Sequence, residues 1–254
     1  MLAQETVGTA DRASKAMAPM LGAMWVLPLL AALVALAFAV RLLITRGRAP
    51  RLHELVWSLA LAMYAVASFA VVLGTAGGWT EWEFGLFWGL GAVLNVPFLA
   101  AGEVLLLFRG SVVRWAVVLV LVFISAFTLA VLRGAGTDPV ALMQDLPSGK
   151  EVFGDGSTAH RLPQYVSYPS YFLLLAGALW SAWRMRGRRE LRDRFVGTLW
   201  IAVGATVIAG FGSAFAALGM LLAFSASLLV GIAIMFGGLL RAGRARMPAA
   251  ATSA

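Results

Sequence analysis

Seven stretches of about twenty residues in this chain are almost wholly apolar, and that is the helix length a hydrocarbon core about 30 Å thick demands. They are Leu21–Leu43, His53–Leu73, Phe84–Phe108, Val112–Leu132, Tyr165–Arg184, Phe195–Ala216 and Met220–Leu240. The expected fold class is all-α: a polytopic membrane protein of seven transmembrane helices. Composition agrees, since 61% of the 254 residues are hydrophobic and 13% are charged, against about a quarter charged in soluble domains. A water-soluble core cannot hide that much apolar surface, because the outside must still be covered by polar groups. The last two spans are separated by a very short turn near Leu218 and Gly219. Ala214–Ala217 carries no polar break, so six spans with one long re-entrant segment is the competing arrangement.

Basic residues set the orientation. Arg41, Arg46, Arg48 and Arg51 lie in the first linker, Arg109 and Arg114 in the third, and Arg184, Arg186, Arg188, Arg189, Arg192 and Arg194 in the fifth. Arg241, Arg244 and Arg246 follow the last span, so fifteen of the twenty basic residues fall on one side. The other side holds Arg12, Lys15, Arg133, Lys150 and Arg161 among eight acids: Glu5, Asp11, Glu81, Glu83, Asp138, Asp145, Glu151 and Asp155. The basic side is expected to be cytoplasmic, with the N-terminus outside and the C-terminus inside. Trp57, Trp115, Trp183 and Trp200 fall near the inner boundary, and Trp25, Trp79, Trp82, Tyr165 and Tyr168 near the outer one, as amphipathic rings prefer.

Three regions follow: an extracytoplasmic tail at 1–20, the helical domain at 21–240, and a cytoplasmic tail at 241–254. Residues 1–20 lack the architecture of a cleaved signal, so the first span is expected to be an anchor. Met17, Met20 and Met24 leave the start of translation open. The one long extramembrane segment, Gly134–Pro163, reads either as a mobile linker or as a lid or docking surface. No internal repeat or two-halves symmetry is evident.

Glu103 is the first candidate for function. It lies roughly 8 Å inside the third span, counted at 1.5 Å per residue from Phe108, and charge at such depth is costly and faces protein or water. At about 100° per residue, Gly85, Gly89, Ala92, Val96 and Glu103 fall near one line, a stripe of mostly small residues that predicts a close helix contact. Ser58, Arg114 and Thr198 match Glu103 in depth and Arg41 can reach in, which makes Arg114 and Arg41 its candidate ion-pair partners. A structural ion pair or hydrogen bond, a proton- or cation-linked role, and ligand contact are the three readings.

Asn95, the only Asn, precedes Pro97 by two residues. Proline cannot donate to the helix ladder and frees the carbonyl four residues earlier, at Val93. The reading is either a kink with Asn95 as local glue or a mid-membrane cavity touching both Asn95 and Glu103.

His53 and Glu54 open the second span inside, while His160 lies outside, so the two His cannot share a haem or metal. His160 with Glu151 and Asp155 is a weak candidate for an exterior metal site. Tyr165, Tyr168 and Tyr171 with Pro169 read as interfacial anchors, or as an aromatic wall for a lipid or quinone-like ligand. The run from Arg184 to Arg194 is explained by topology and by attraction to anionic headgroups. It lacks the stacking or base-reading groups that nucleic-acid binding needs.

No Cys is present, which removes disulfides, thiolate chemistry and S-acylation. No phosphate-cradling loop, paired-His zinc helix or nucleophile elbow occurs. A retinal Schiff base is impossible in the last span, because the only lysines are Lys15 and Lys150. No cofactor is expected. The 18 Arg against 2 Lys, with abundant Ala, Gly and Val, suggest GC-rich bacterial coding and hence a bacterial plasma membrane.

The Trp79–Phe108 stretch, and Arg161–Arg184 with its Leu-Pro start and Ser-Ala-Trp-Arg ending, resemble a family of uncharacterised seven-helix membrane proteins of actinobacterial type. That family has no assigned activity, so the resemblance implies the layout and no functional residue. The function expected is a non-enzymatic bundle that binds a lipid, an apolar ligand or a membrane partner, including a second copy. The alternatives are a small-solute or proton-linked transporter centred on Glu103, and an intramembrane lipid-modifying enzyme.

Overall fold

The computed structural model describes residues 25–44, 51–108, 110–187 and 191–244. The N-terminal tail, Arg46, Arg48, Arg109, Arg188, Arg189, Arg246 and the end of the C-terminal tail lie outside the described residues. Among the described residues the chain is helical, with no strand. The long rods are α1 (Trp25–Ile44), α2 (Leu52–Gly77), α3 (Glu81–Leu107), α4 (Ser111–Gly134), α5 (Thr158–Met185), α6 (Arg192–Thr206, Val207–Gly212 and Ser213–Ala217) and α7 (Leu221–Arg244). Six of them, all but α5, are long and apolar enough to cross a membrane.

α5 is the exception for a reason visible in its residues. At 28 residues it is the longest rod. Its N-terminal half carries Thr158, His160, Arg161, Gln164 and the helix-internal Pro163 and Pro169, which dilute its apolar character. The stretch expected at Tyr165–Arg184 is thus the C-terminal part of a helix that starts earlier, at Thr158. Ser157 sets that start: its hydroxyl accepts from the His160 backbone N–H at 3.1 Å, satisfying one of the orphan donors of the first turn.

α3 and α6 each contain a π-helical stretch, at Phe87–Leu94 and Val207–Gly212. Each π turn holds one residue more than an α turn, so side chains beyond Leu94 are rotated away from the phase a uniform helix gives. The expected stripe on α3 is split for that reason. A side chain at Gly85 would meet nothing, Gly89 faces Leu132 of α4, and Glu103 faces Gly177 of α5.

The rods pack as a ring of six, with α4 outside it. α3 packs on α2 and α5, α5 on α6, and α6 most extensively on α7. Phe38 of α1 meets Phe236 of α7 with ring centroids 5.3 Å apart, and the Tyr64 hydroxyl of α2 donates to the Leu228 carbonyl of α7 at 2.9 Å. The contact between α6 and α7 is backbone against backbone. A Cβ at Gly231 would lie 2.8 Å from the Gly204 oxygen, and one at Gly238 would lie 2.6 Å from the Gly197 oxygen. The turn between them, expected near Leu218 and Gly219, is closed by Gly219 at φ +67°, a conformation glycine adopts without steric cost. On α4 only Leu121 and Thr128 are buried.

The Gly134–Pro163 segment is an ordered cap and not a free linker. A 3₁₀ turn, Ala141–Met143, and a short helix, Gly149–Phe153, bury Ala141, Leu142, Leu146 and Val152 against the end of the bundle where α3 begins. Trp79 donates its indole N–H to the Asp145 carbonyl at 3.1 Å. Phe84, Trp88 and Phe153 form an aromatic layer beneath, with centroids 5.5 to 6.1 Å apart.

Candidate functional site

Glu103 sits in the seam between α3 and α5. It is 8% exposed, and its Oε1 accepts a hydrogen bond from the Ser181 hydroxyl at 3.2 Å. Gly177 makes room for it: a Cβ there would come within 2.6 Å of the Glu103 Cγ. Glu103 is four residues from the end of α3 and Ser181 four from the end of α5, so the two parallel rods present them at one depth.

The expected ion-pair partners lie elsewhere. Arg114 is exposed on α4 and makes no ion pair with Glu103, and Arg41 is exposed near the end of α1. Ser58, matched in depth, directs its hydroxyl to the carbonyls of Glu54 at 2.8 Å and Ala39 at 3.3 Å. Thr198 is half-buried on α6. Of the basic cluster, Arg184 and Arg186 are exposed at the end of α5, and Arg192 and Arg194 open α6.

Asn95 is buried and faces a different neighbour from Glu103: its side-chain amide donates to the Ala60 carbonyl of α2 at 2.7 Å. The carbonyl freed by Pro97 also has a partner. Ser167 of α5 donates to Val93 at 2.8 Å and to the adjacent Ala92 at 2.6 Å. α3 returns the service. Pro163 of α5 frees the Ala159 carbonyl, and the Trp88 indole of α3 donates to it at 3.0 Å. An unpaired carbonyl in an apolar interior costs several kcal/mol, so each proline is tolerated because the other helix supplies the missing donor.

Ser167, Ser181 and Trp88 were not singled out from sequence. The common depth of Ser181 and Glu103 from their helix ends is a signal that finds the first. Nothing local marks Ser167 or Trp88, whose roles depend on which helices are neighbours.

The tryptophans expected in the two belts divide. Trp25, Trp82, Trp115, Trp183 and Trp200 are exposed. Trp57 and Trp79 instead pack inward. The Trp57 indole lies over Gly102 and donates to the Leu99 carbonyl at 3.0 Å, and Trp79 lies over Gly74. Tyr165 and Tyr168 are exposed, while Tyr171 hydrogen-bonds to Thr206 of α6 at 2.9 Å.

In the cap, the Ser148 hydroxyl holds the Glu151 carboxyl below its ordinary range, and Lys150, 3.1 Å away, does the same for Asp155. His160 stacks on Trp88 with centroids 6.4 Å apart. Glu151 and Asp155 are thus engaged with other partners, and among the described residues no three His, Cys, Asp or Glu side chains gather as a metal site.

Compared with protein-family models, curated proteins and solved structures, the chain matches none.

Proposed function

We propose that this chain is a seven-span protein of a bacterial plasma membrane, its N-terminus outside and its C-terminus cytoplasmic. In this reading it acts as a non-enzymatic bundle that holds a lipid, an apolar ligand or a membrane partner. α5 is the seventh span, and at about 1.5 Å per residue its 28 residues exceed the hydrocarbon thickness. Attraction of its terminal arginines to anionic headgroups supports the orientation.

One observation carries the non-transporting part of this reading. Four polar side chains inside the bundle are spent on backbone carbonyls of neighbouring rods: Asn95 and Trp57 join α2 to α3, Ser167 joins α5 to α3, and Tyr64 joins α2 to α7. Alternating access moves such rods against one another, and these bonds oppose that movement. Purified protein in liposomes should show solute and proton flux equal to empty vesicles, and native mass spectrometry should show a lipid or second polypeptide retained. Flux above the empty-vesicle level would refute the reading.

Proton-linked transport centred on Glu103 is the second reading, favoured by one fact: a carboxyl lies buried in a helix seam with a single hydroxyl donor. It requires that Glu103→Gln abolish flux while the protein stays folded. Glutamine preserves the acceptor for Ser181, so folding should survive the exchange.

A further inference from the structure

The tip of the outer cap has a sidedness that its burial in the bundle does not explain. In a 3₁₀ turn, residues three apart lie over one another. Ala141 and Leu142 point into the cap and are buried, while Val140 and Met143, three apart, are 71% and 83% exposed. Asp138 fixes the turn, its carboxylate accepting from the Val140 backbone N–H at 2.9 Å. A turn bathed in water would carry polar groups on that outer face.

The height of the tip is set by two tethers. On one side of the turn, Thr137 donates its hydroxyl hydrogen bond to the carboxylate of Glu81, the first residue of the α3 span. On the other side, the Asp145 carbonyl accepts from the indole of Trp79, two residues before that span. The turn is therefore held beside the point where α3 meets the outer boundary. Trp82, in the first turn of α3, is 73% exposed.

We propose that Val140 and Met143 dip into the headgroup layer of the outer leaflet, so that the cap is a membrane-docked lid and not a water-exposed loop. The inference rests on the multi-pass reading above. The apolar face sits at the headgroup–acyl boundary as an interfacial helix does, and Trp82 anchors the same level. Asp138, Gln144 and Asp145, all exposed, flank the tip and stay in the polar part of that layer.

The absence of Cys makes the test direct. Met143→Cys, and Val140→Cys as a second reporter, are labelled with an environment-sensitive fluorophore in vesicles of phosphatidylethanolamine and phosphatidylglycerol. Lys150→Cys, at an exposed position on the short helix of the same cap, serves as the water-facing reference. Labels at 143 and 140 should emit to the blue of the label at 150, be quenched by doxyl-labelled lipid, and lose most of the iodide quenching seen at 150. Iodide quenching equal to that at 150 would overturn the proposal. So would shielding without doxyl quenching that vanishes when the protein is diluted in lipid, because a second copy would then cover the tip. Either result leaves the chain in the carbonate-washed vesicle pellet, whereas release by carbonate would overturn the multi-pass reading as well.

Discussion

Replacing Ser167 with alanine removes the hydroxyl that reaches the Ala92 and Val93 carbonyls at 2.6 and 2.8 Å, the second of which Pro97 leaves without its i+4 donor. One hydroxyl has one proton, so the bond is shared, and its worth is that of about one good hydrogen bond. Interhelical bonds of this kind average about 0.6 kcal/mol and reach about 1.7 kcal/mol. A buried acceptor left unsatisfied adds a penalty of about 1–3 kcal/mol in the general case. Val93 has no ladder donor because of Pro97, so Ser167→Ala is expected to cost about 1–2 kcal/mol in mixed-micelle unfolding followed by tryptophan fluorescence. The proline supplies the decisive control. Pro97→Ala restores an N–H at position 97, four residues after Val93, and that N–H takes over the orphaned carbonyl. In the Pro97→Ala background the loss on Ser167→Ala should therefore shrink by about 1 kcal/mol, a coupling a double-mutant cycle resolves. Ser170→Ala, whose hydroxyl bonds its own helix at Val166, should be near neutral. Equal losses at 167 in both backgrounds, or a loss at 170 as large as at 167, would refute the reasoning.

Gly231→Ala brings a Cβ to 2.8 Å from the Gly204 carbonyl, and because backbone cannot swing aside, overpacking should cost about 1–3 kcal/mol in the same unfolding assay. Gly85→Ala, which meets open space on α3, should instead stabilise by about 0.5–1 kcal/mol through helix propensity alone, and equal effects at the two sites would contradict the packing described. Glu151 and Asp155 titrate in the folded cap below their ordinary values of 4.5 and 3.8. Their contribution to cap stability is therefore whole above about pH 5 and is lost as pH falls through the lower folded values. Amide exchange of residues 137–157 should be flat from about pH 5 to 8 after correction for the intrinsic rate, and a fall in protection within that range would count against these two carboxylates.

Apolar run length placed the rods, because hydrocarbon thickness acts on each segment separately: the expected Val112–Leu132 lies within Ser111–Gly134, and the expected Met220–Leu240 starts one residue before Leu221–Arg244. Whatever depends on two segments at once was less legible. The carbonyl freed by Pro97 could be named from its own helix, but Ser167, which answers it, stands 74 residues away from Val93 in sequence. The stripe through Glu103 failed for a local reason hidden from hydropathy, since a π turn changes the phase of a helix without changing its composition. Depth put Glu103 near the end of its helix, and it stands four residues before Leu107. Charge attraction suggested arginines for it, and a neutral serine on the parallel neighbour was found instead. The inward packing of Trp57 and Trp79 was not legible, because an exposed indole and an indole packed over a glycine read alike until the glycine opposite, Gly102 or Gly74, is known.

The side-chain cross-links are unevenly shared among the rods, and this bears on which part of the bundle is free to respond. Ser58 ties α2 to α1, Asn95 and Trp57 tie α2 to α3, Ser167, Ser181 and Trp88 join α3 with α5, and Tyr171 with Thr206 joins α5 to α6. Arg241 meets Asp193 at 3.3 Å, α6 and α7 share the glycine contact, and Tyr64 closes the ring from α7 back to α2. α4 stands apart: among the described residues it has no side-chain hydrogen bond to another rod, and its one deeply buried hydroxyl, Thr128, is unpartnered. A buried unmet hydroxyl is a local weakness, and Ser225 of α7 is a second one. But α7 is also held by Tyr64, Arg241 and the glycine contact, whereas α4 has no such tie. Displacing α4 breaks apolar contacts that lipid tails replace at little cost, since neither side of that exchange is wetted. Displacing α2, α3 or α5 instead takes the side-chain donor away from a carbonyl of the neighbouring rod. The cost of motion is thus lowest at the periphery, which favours a bundle that binds at its lipid-facing flank over one that opens a route through its centre.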